Sequence, residues 1–327
     1  MSDPDRKPPI PPAIAIGFGI LAVSTASLFI RNAQVHAPSL VIAAWRLILA
    51  TLILAPIAFT RHRSELRRLR LGDLALAALS GFFLALHFAA WISSLEYTTV
   101  ASSVVLVTTT PLWVALLSPL VLKEPLTRPI LIGMGLTLIG GIVIGLSDAC
   151  SWNEQGLSCP SFLEMVGGKA FFGDFLALTG AWMAAGYLLI GRRLRVKMSL
   201  VAYIFLVYGV SAVILALIMV AAGQSLWGYP PGAYLWFALL ALIPQLLGHS
   251  TFNWALGYLP AAYVSITLLG EPVGSAILAY FFLNETPTVV KIFGAILILA
   301  GIYLASMNQQ SKNTGKAKPV EKVEPPL

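Results

Sequence analysis

The chain has 327 residues, of which 58% are hydrophobic and only 11% charged, with a mean hydropathy of +0.84. Soluble domains run near 45–50% apolar and about 25% charged, so a water-soluble fold could not hide this much apolar surface. The net charge of +7 does not indicate nucleic acid, because the basic residues stand in short clusters between apolar runs rather than on one solvated face.

From the N-terminus, residues 1–12 are polar and proline-rich, read as disordered, and no small-residue cleavage site follows them. Ten apolar runs come next, each about 20 residues and so able to cross a ~30 Å hydrocarbon core as a helix. They cover 13–31, 39–59, 72–94, 98–121, 129–147, 172–191, 200–222, 234–257, 260–283 and 287–306. The runs are continuous, not alternating, which argues against a barrel. The expected fold is therefore an all-α integral membrane protein. It has a first five-helix unit at 13–147, a loop at 148–171, a second five-helix unit at 172–306, and a disordered tail at 307–327.

Threading ten spans from a cytoplasmic N-terminus leaves 17 of the 21 Lys and Arg on the inner side. The positive-inside rule then puts both termini in the cytoplasm, for a multi-pass protein of a bacterial inner membrane. The 148–171 loop falls outside. It holds the only cysteines, Cys150 and Cys159. A disulfide between them suits an oxidising compartment; two free thiols suit the spacing equally. No His or Cys spacing fits a metal, and no cofactor is expected.

An offset of 161 residues overlays the two halves without a gap. Tyr97 falls on Tyr258, Pro111 on Pro272, Glu124 on Glu285, Thr127 on Thr288, Gly133 on Gly294 and Gly140 on Gly301. Five spans is an odd number, so the second half enters the membrane inverted. Inverted repeats are the architecture of secondary transporters, with a site near the midplane where the halves meet.

The segments LHFAAWISSLEYTTVASSVVLVTTTPLWVALLSPLVLKE, GDFLALTGAWMAAGYLLIGRRL and LGHSTFNWALGYLPAAYVSITLLGEPVGSAILAYFFLNE resemble the drug/metabolite transporter superfamily in its EamA-like ten-helix branch. The resemblance spans nearly all of residues 13–306. It implies ten helices around a central cavity and export of small metabolites, amino-acid-like or drug-like. The 148–171 loop is longer than the link it implies.

Ionisable side chains inside hydrocarbon are costly and mark function by default. Glu271, midway along the 260–283 run and just before Pro272, is the foremost candidate for proton coupling, with His249 as the second. His249 and Asn253 are four residues apart, as are His87 and Trp91, so each pair shares a helix face. Arg46 is a candidate for an anionic ligand, or for pairing with Glu271. Thr109 belongs to a polar break before Pro111. Trp113, Trp182, Tyr187 and Tyr263 are further cavity candidates. Each has a plainer reading as packing or interhelical hydrogen bonding. Pro111, Pro272, Glu124 and Glu285 are read as structural, and the glycines of the fifth and tenth spans as close-packing residues or the face of a homodimer. The expected partners are the bilayer and a small molecule. The alternatives are a membrane scaffold or receptor, or an intramembrane enzyme. No Walker A, HExxH or GxSxG pattern supports ATP-driven or hydrolytic chemistry.

Overall fold

The computed structural model describes residues 8–98, 103, 106–149, 151–153, 156–158, 169–271, 273–274, 277–278 and 288–314. Cys150, Cys159, Pro272 and Glu285 lie outside them. In chain order the helices are α1 (Pro12–Ser24), α2 (Ala26–Gln34), α3 (Ser39–Arg61), α4 (Arg63–Arg67), α5 (Leu71–Tyr97), α6 (Thr110–Val121), α7 (Arg128–Ala149), α8 (Lys169–Arg195), α9 (Leu200–Ala221), α10 (Pro231–Leu240), a π-helical segment (Ala241–His249), α11 (Ser250–Ala255), α12 (Ala261–Leu268) and α13 (Val289–Thr314). Helices dominate because lipid offers backbone N–H and C=O groups no partners, so each segment must satisfy its own.

Among the described residues, six stretches are long and apolar enough to cross a bilayer: Pro12–Gln34, Ser39–Arg61, Leu71–Tyr97, Phe171–Arg195, Leu200–Ala221 and Pro231–Ala255. Three more apolar helices, Thr110–Val121, Arg128–Val143 and Ile292–Ala305, are shorter. Large apolar side chains such as Phe18, Leu52, Leu120, Leu217 and Ile296 point outward. That arrangement is costly in water and free in hydrocarbon.

Four expectations change. The 13–31 run is two helices that meet at Thr25, whose Oγ1 donates to the Ala22 carbonyl at 2.8 Å. The 98–121 run is no single helix: Thr98 is extended, and a turn at 108–109 precedes Thr110. The 148–171 loop holds an antiparallel hairpin, β1 (Ser151–Asn153) with β2 (Gly156–Ser158), registered Ser151 to Ser158. The last helix passes the 306 boundary and runs to Thr314, since no Gly or Pro occurs between Gly301 and Gly315 to stop it.

Two packed seams place the centre. α5 packs along α8, and α7 along α13. In the second seam a Cβ on Gly133 would lie 2.5 Å from the Gly301 carbonyl oxygen, and one on Gly140 would lie 2.6 Å from that of Gly294. Backbones this close exclude any side chain, and the order of the contacts makes the two helices antiparallel.

At chain turns, carboxylates hold helix starts. Glu96 Oε1 accepts from the Ser39 amide at 3.1 Å and from its hydroxyl at 2.5 Å, at the start of α3. Glu65 accepts from the Ser199 amide at 2.7 Å and hydroxyl at 2.6 Å, at the start of α9. Burial pushes the Glu65 carboxyl up, but the two Ser199 bonds and His62 outweigh it and hold it below its usual value. Lys123 adopts φ +56° after α6, a left-handed C′ position. It turns Glu124 back, so that its carboxylate takes Arg192 Nε at 2.6 Å and the Ala261 amide at 3.1 Å. Glu124 thus joins the end of α8 to the start of α12.

Candidate functional site

A cavity of about 70 Å³ lies in the middle of the bundle. That is room for several waters, since one needs roughly 10–15 Å³. Its wall is built from offset counterparts. Val23 and Ala184, Ala26 and Tyr187, Trp91 and Phe252, Val107 and Leu268, Thr108 and Leu269, and Thr110 and Glu271 all line it, and each pair is 161 residues apart. The cavity therefore sits where the two halves face each other, at equivalent depth in both.

The polar part of the wall is uneven. Glu271 comes from just beyond α12, past a turn at 269–270. Its main-chain carbonyl accepts from Ser24 Oγ at 3.0 Å, which ties it to the end of α1. His249 ends the π segment and packs edge-on against Phe88, ring centres 5.2 Å apart. Pro244 explains the π geometry: it has no N–H to give, and its ring clashes with the carbonyl four residues back. His87 Nδ1 bonds the Gly180 carbonyl at 2.9 Å, and its ring stacks on Trp91 at 14°. Trp91 Nε1 is buried without a hydrogen-bond partner.

The structure brings His87, Trp91, Tyr187, His249 and Glu271 to one wall, together with Pro111. It takes the other candidates elsewhere. Asn253 lies behind the wall, with Nδ2 donating to Tyr187 Oη at 2.5 Å, Tyr208 Oη at 3.2 Å and the His249 carbonyl at 2.9 Å. Thr109 turns away and accepts from Trp113 Nε1 at 3.2 Å. Trp113 meets Trp182 at 90° in an aromatic contact off the cavity. Tyr263 is buried in the core, also off the wall. Arg46 is fully buried one layer back, and no ion pair joins it to Glu271 among the described residues.

Sequence reasoning missed Gln245, Tyr208 and Ser250, which surround Asn253 and Arg46. A signal was there for the first: Gln245, His249 and Asn253 recur every four residues in an otherwise apolar run. Tyr208 looks like an ordinary interfacial aromatic until its hydroxyl is seen inside the bundle.

A bundle of apolar helices around a cavity that carries Glu271 and two histidines on a largely apolar wall defines a multi-pass membrane protein. The chain belongs to the EamA-like transporter family, whose profile matches residues 12–146 and again 171–307. It is a membrane transporter of that family, with the family domain present twice. It is similar to the uncharacterized transporter YyaM of Bacillus subtilis, 25% identical over 298 residues that cover 89% of this chain and 92% of that one. An uncharacterized transporter of Archaeoglobus fulgidus is 27% identical over 239 residues, covering 72% and 76%. A solved structure titled only as the crystal structure of a protein superposes with a TM-score of 0.71 at 17% identity, over 92% of this chain and 98% of that one. That likeness concerns the fold alone.

Proposed function

We infer that the chain is a secondary active exporter of small metabolites that works by alternating access. Two inverted five-helix repeats, ten helices in all, exchange roles around the central cavity, and Glu271 with His249 carries the coupled proton. The membrane is a bacterial inner membrane with both chain termini on the cytoplasmic face. The observation that carries this reading is the cavity wall of 161-offset counterparts, with Glu271 on it. A site shared by two copies at equal depth is what an exchange of conformations between those copies requires. The antiparallel α7–α13 contact supports inversion, since helices at the same place in two inverted copies run in opposite directions. His87 and Trp91 present polar edges to the substrate, and Phe252 and Tyr187 present apolar faces. A carboxyl in such a place is costly to retain unless it works.

The test is flux in proteoliposomes with an imposed pH gradient. Glu271→Gln is expected to abolish the gradient-driven component while leaving exchange of labelled metabolite across an equal pH. Gradient-driven flux equal to wild type would remove Glu271 from the proton path.

A further inference from the structure

The costliest group in the bundle lies one layer behind the cavity wall. Arg46 is 0% exposed. Its Nε donates to Gln245 Oε1 at 2.7 Å, and its guanidinium carbon stands 4.2 Å over the Phe88 ring. Nη1 and Nη2 have no hydrogen-bond partner, while the Gln245 side-chain amide faces the Tyr208 hydroxyl. Two guanidinium nitrogens are therefore fully enclosed with no hydrogen-bonded acceptor among the described residues, and the Glu271 carboxyl acts on them electrostatically without an ion-pair contact. Breaking or omitting the partner of a buried charge is strongly destabilising, and lipid around the bundle gives no relief. The arrangement is stable when an anion arrives from outside the chain.

The route to that anion is the cavity. Phe88, which covers one face of the guanidinium, packs on His249 of the wall. On the other side a hydrogen-bonded chain runs from the Gln245 carbonyl through Ser250 Oγ, Tyr208 Oη and Asn253 Nδ2 to Tyr187, again of the wall. The planar guanidinium fork fits a carboxylate with two parallel bonds. Aromatic residues of the wall suit an apolar body attached to it.

We propose that Arg46 is the anion-recognition residue of this transporter, and that its substrate bears a carboxylate on an aromatic or apolar body. The word substrate rests on the transport reading above; the binding does not. The carboxylate displaces Phe88, and with it the His249 ring packed on it, from in front of the guanidinium and takes Nη1 and Nη2.

The experiment uses the full chain in phosphatidylcholine nanodiscs, so that no anionic lipid competes. Thermal unfolding is followed with benzoate, its neutral isostere benzamide, and benzylammonium as probes. Benzoate is expected to raise the unfolding midpoint, and the other two to leave it unchanged. Arg46→Lys keeps the charge but loses the fork; its benzoate affinity falls by about tenfold or more, the loss of one hydrogen bond to a charged group. Gln245→Glu gives Arg46 an internal carboxylate. That variant should unfold no lower than wild type without ligand and no longer respond to benzoate. It also keeps the question open to refutation where an Arg46 variant fails to fold. Benzoate without effect on wild type, benzamide or benzylammonium acting as strongly, or a full benzoate response in Gln245→Glu each overturns the proposal. Benzoate binding lost in Gln245→Glu, with no metabolite counterflow in proteoliposomes, would instead leave the anion site standing and sink the transport reading.

Discussion

The α7–α13 seam and the central cavity are both places where the two family domains meet, and they treat their common ancestry in opposite ways. At the seam, Gly133 faces Gly301 and Gly140 faces Gly294. Exchanging the copies by the 161 offset returns the same two contacts. At the cavity the positions are equivalent but the chemistry is not. Glu271 answers to Thr110, His249 to Phe88, Asn253 to Ile92, Gln245 to Leu84, Tyr208 to Leu47 and Tyr187 to Ala26. In the other direction Arg46 answers to Val207 and His87 to Gly248. Steric demands at a close backbone approach are the same for both partners, so both stay glycine. A buried charge is expensive, so one carboxyl and one guanidinium suffice and neither is duplicated.

The seam gives the largest expected effect. Gly301→Val would drive a branched side chain into the Gly133 carbonyl, already 2.5 Å from where a Cβ would start, and into Thr137. Overpacking of this kind costs about 3 kcal/mol or more. The monodisperse fraction on size exclusion should collapse, and valine at Gly135, where a Cβ meets nothing within 4 Å, should be harmless. Equal behaviour of the two variants would show that the seam does not hold the copies together.

Next comes the asymmetric centre. Asn253→Ile installs the first copy's residue at that position and takes a partner from the Tyr187 and Tyr208 hydroxyls. Tyr208 keeps Ser250, but leaving the buried Tyr187 hydroxyl unpaired costs about 1–3 kcal/mol, read as a lower unfolding midpoint. Ile92→Asn, the reverse exchange, should destabilise as well, since Ile92 is fully buried among apolar neighbours. If either exchange is neutral, the polarity of the two walls is interchangeable and the comparison fails there.

The smallest effect is at the helix starts. Glu65→Gln weakens the hold on Ser199, at about 1 kcal/mol, because water reaches the carboxylate and screens it. Since the folded carboxyl sits below its ordinary value of 4.5, its stabilisation is present above that value and is lost as the pH falls through the folded one. Wild type should therefore lose midpoint on acidification in a step that Glu65→Gln lacks. Glu96→Gln at the α3 start should lower the midpoint by a similar amount at neutral pH, through the weakened hold on Ser39.

Much of this was legible in one dimension. Apolar content adds up along a chain without regard to folding, so a bilayer environment follows from composition alone. A duplication leaves the same residues at a constant spacing, so Gly133 with Gly294 and Gly140 with Gly301 could be paired before any helix was placed. Glu271 was conspicuous for the same reason: a carboxyl in the middle of an apolar run stands out whatever it touches. Which residues share a wall is another matter, because that depends on how each helix is rotated. Thr109 and Thr110 are neighbours, yet one bonds Trp113 and the other lines the cavity. Asn253, one α-helical turn past His249, ends behind the wall rather than on it, because its amide is taken by the Tyr187 and Tyr208 hydroxyls. Arg46 stands out in the sequence as a cation within a span, but its surroundings are not written there. Only packing from α5 and the π segment closes Phe88 and Gln245 around it and leaves Nη1 and Nη2 without a hydrogen-bond partner.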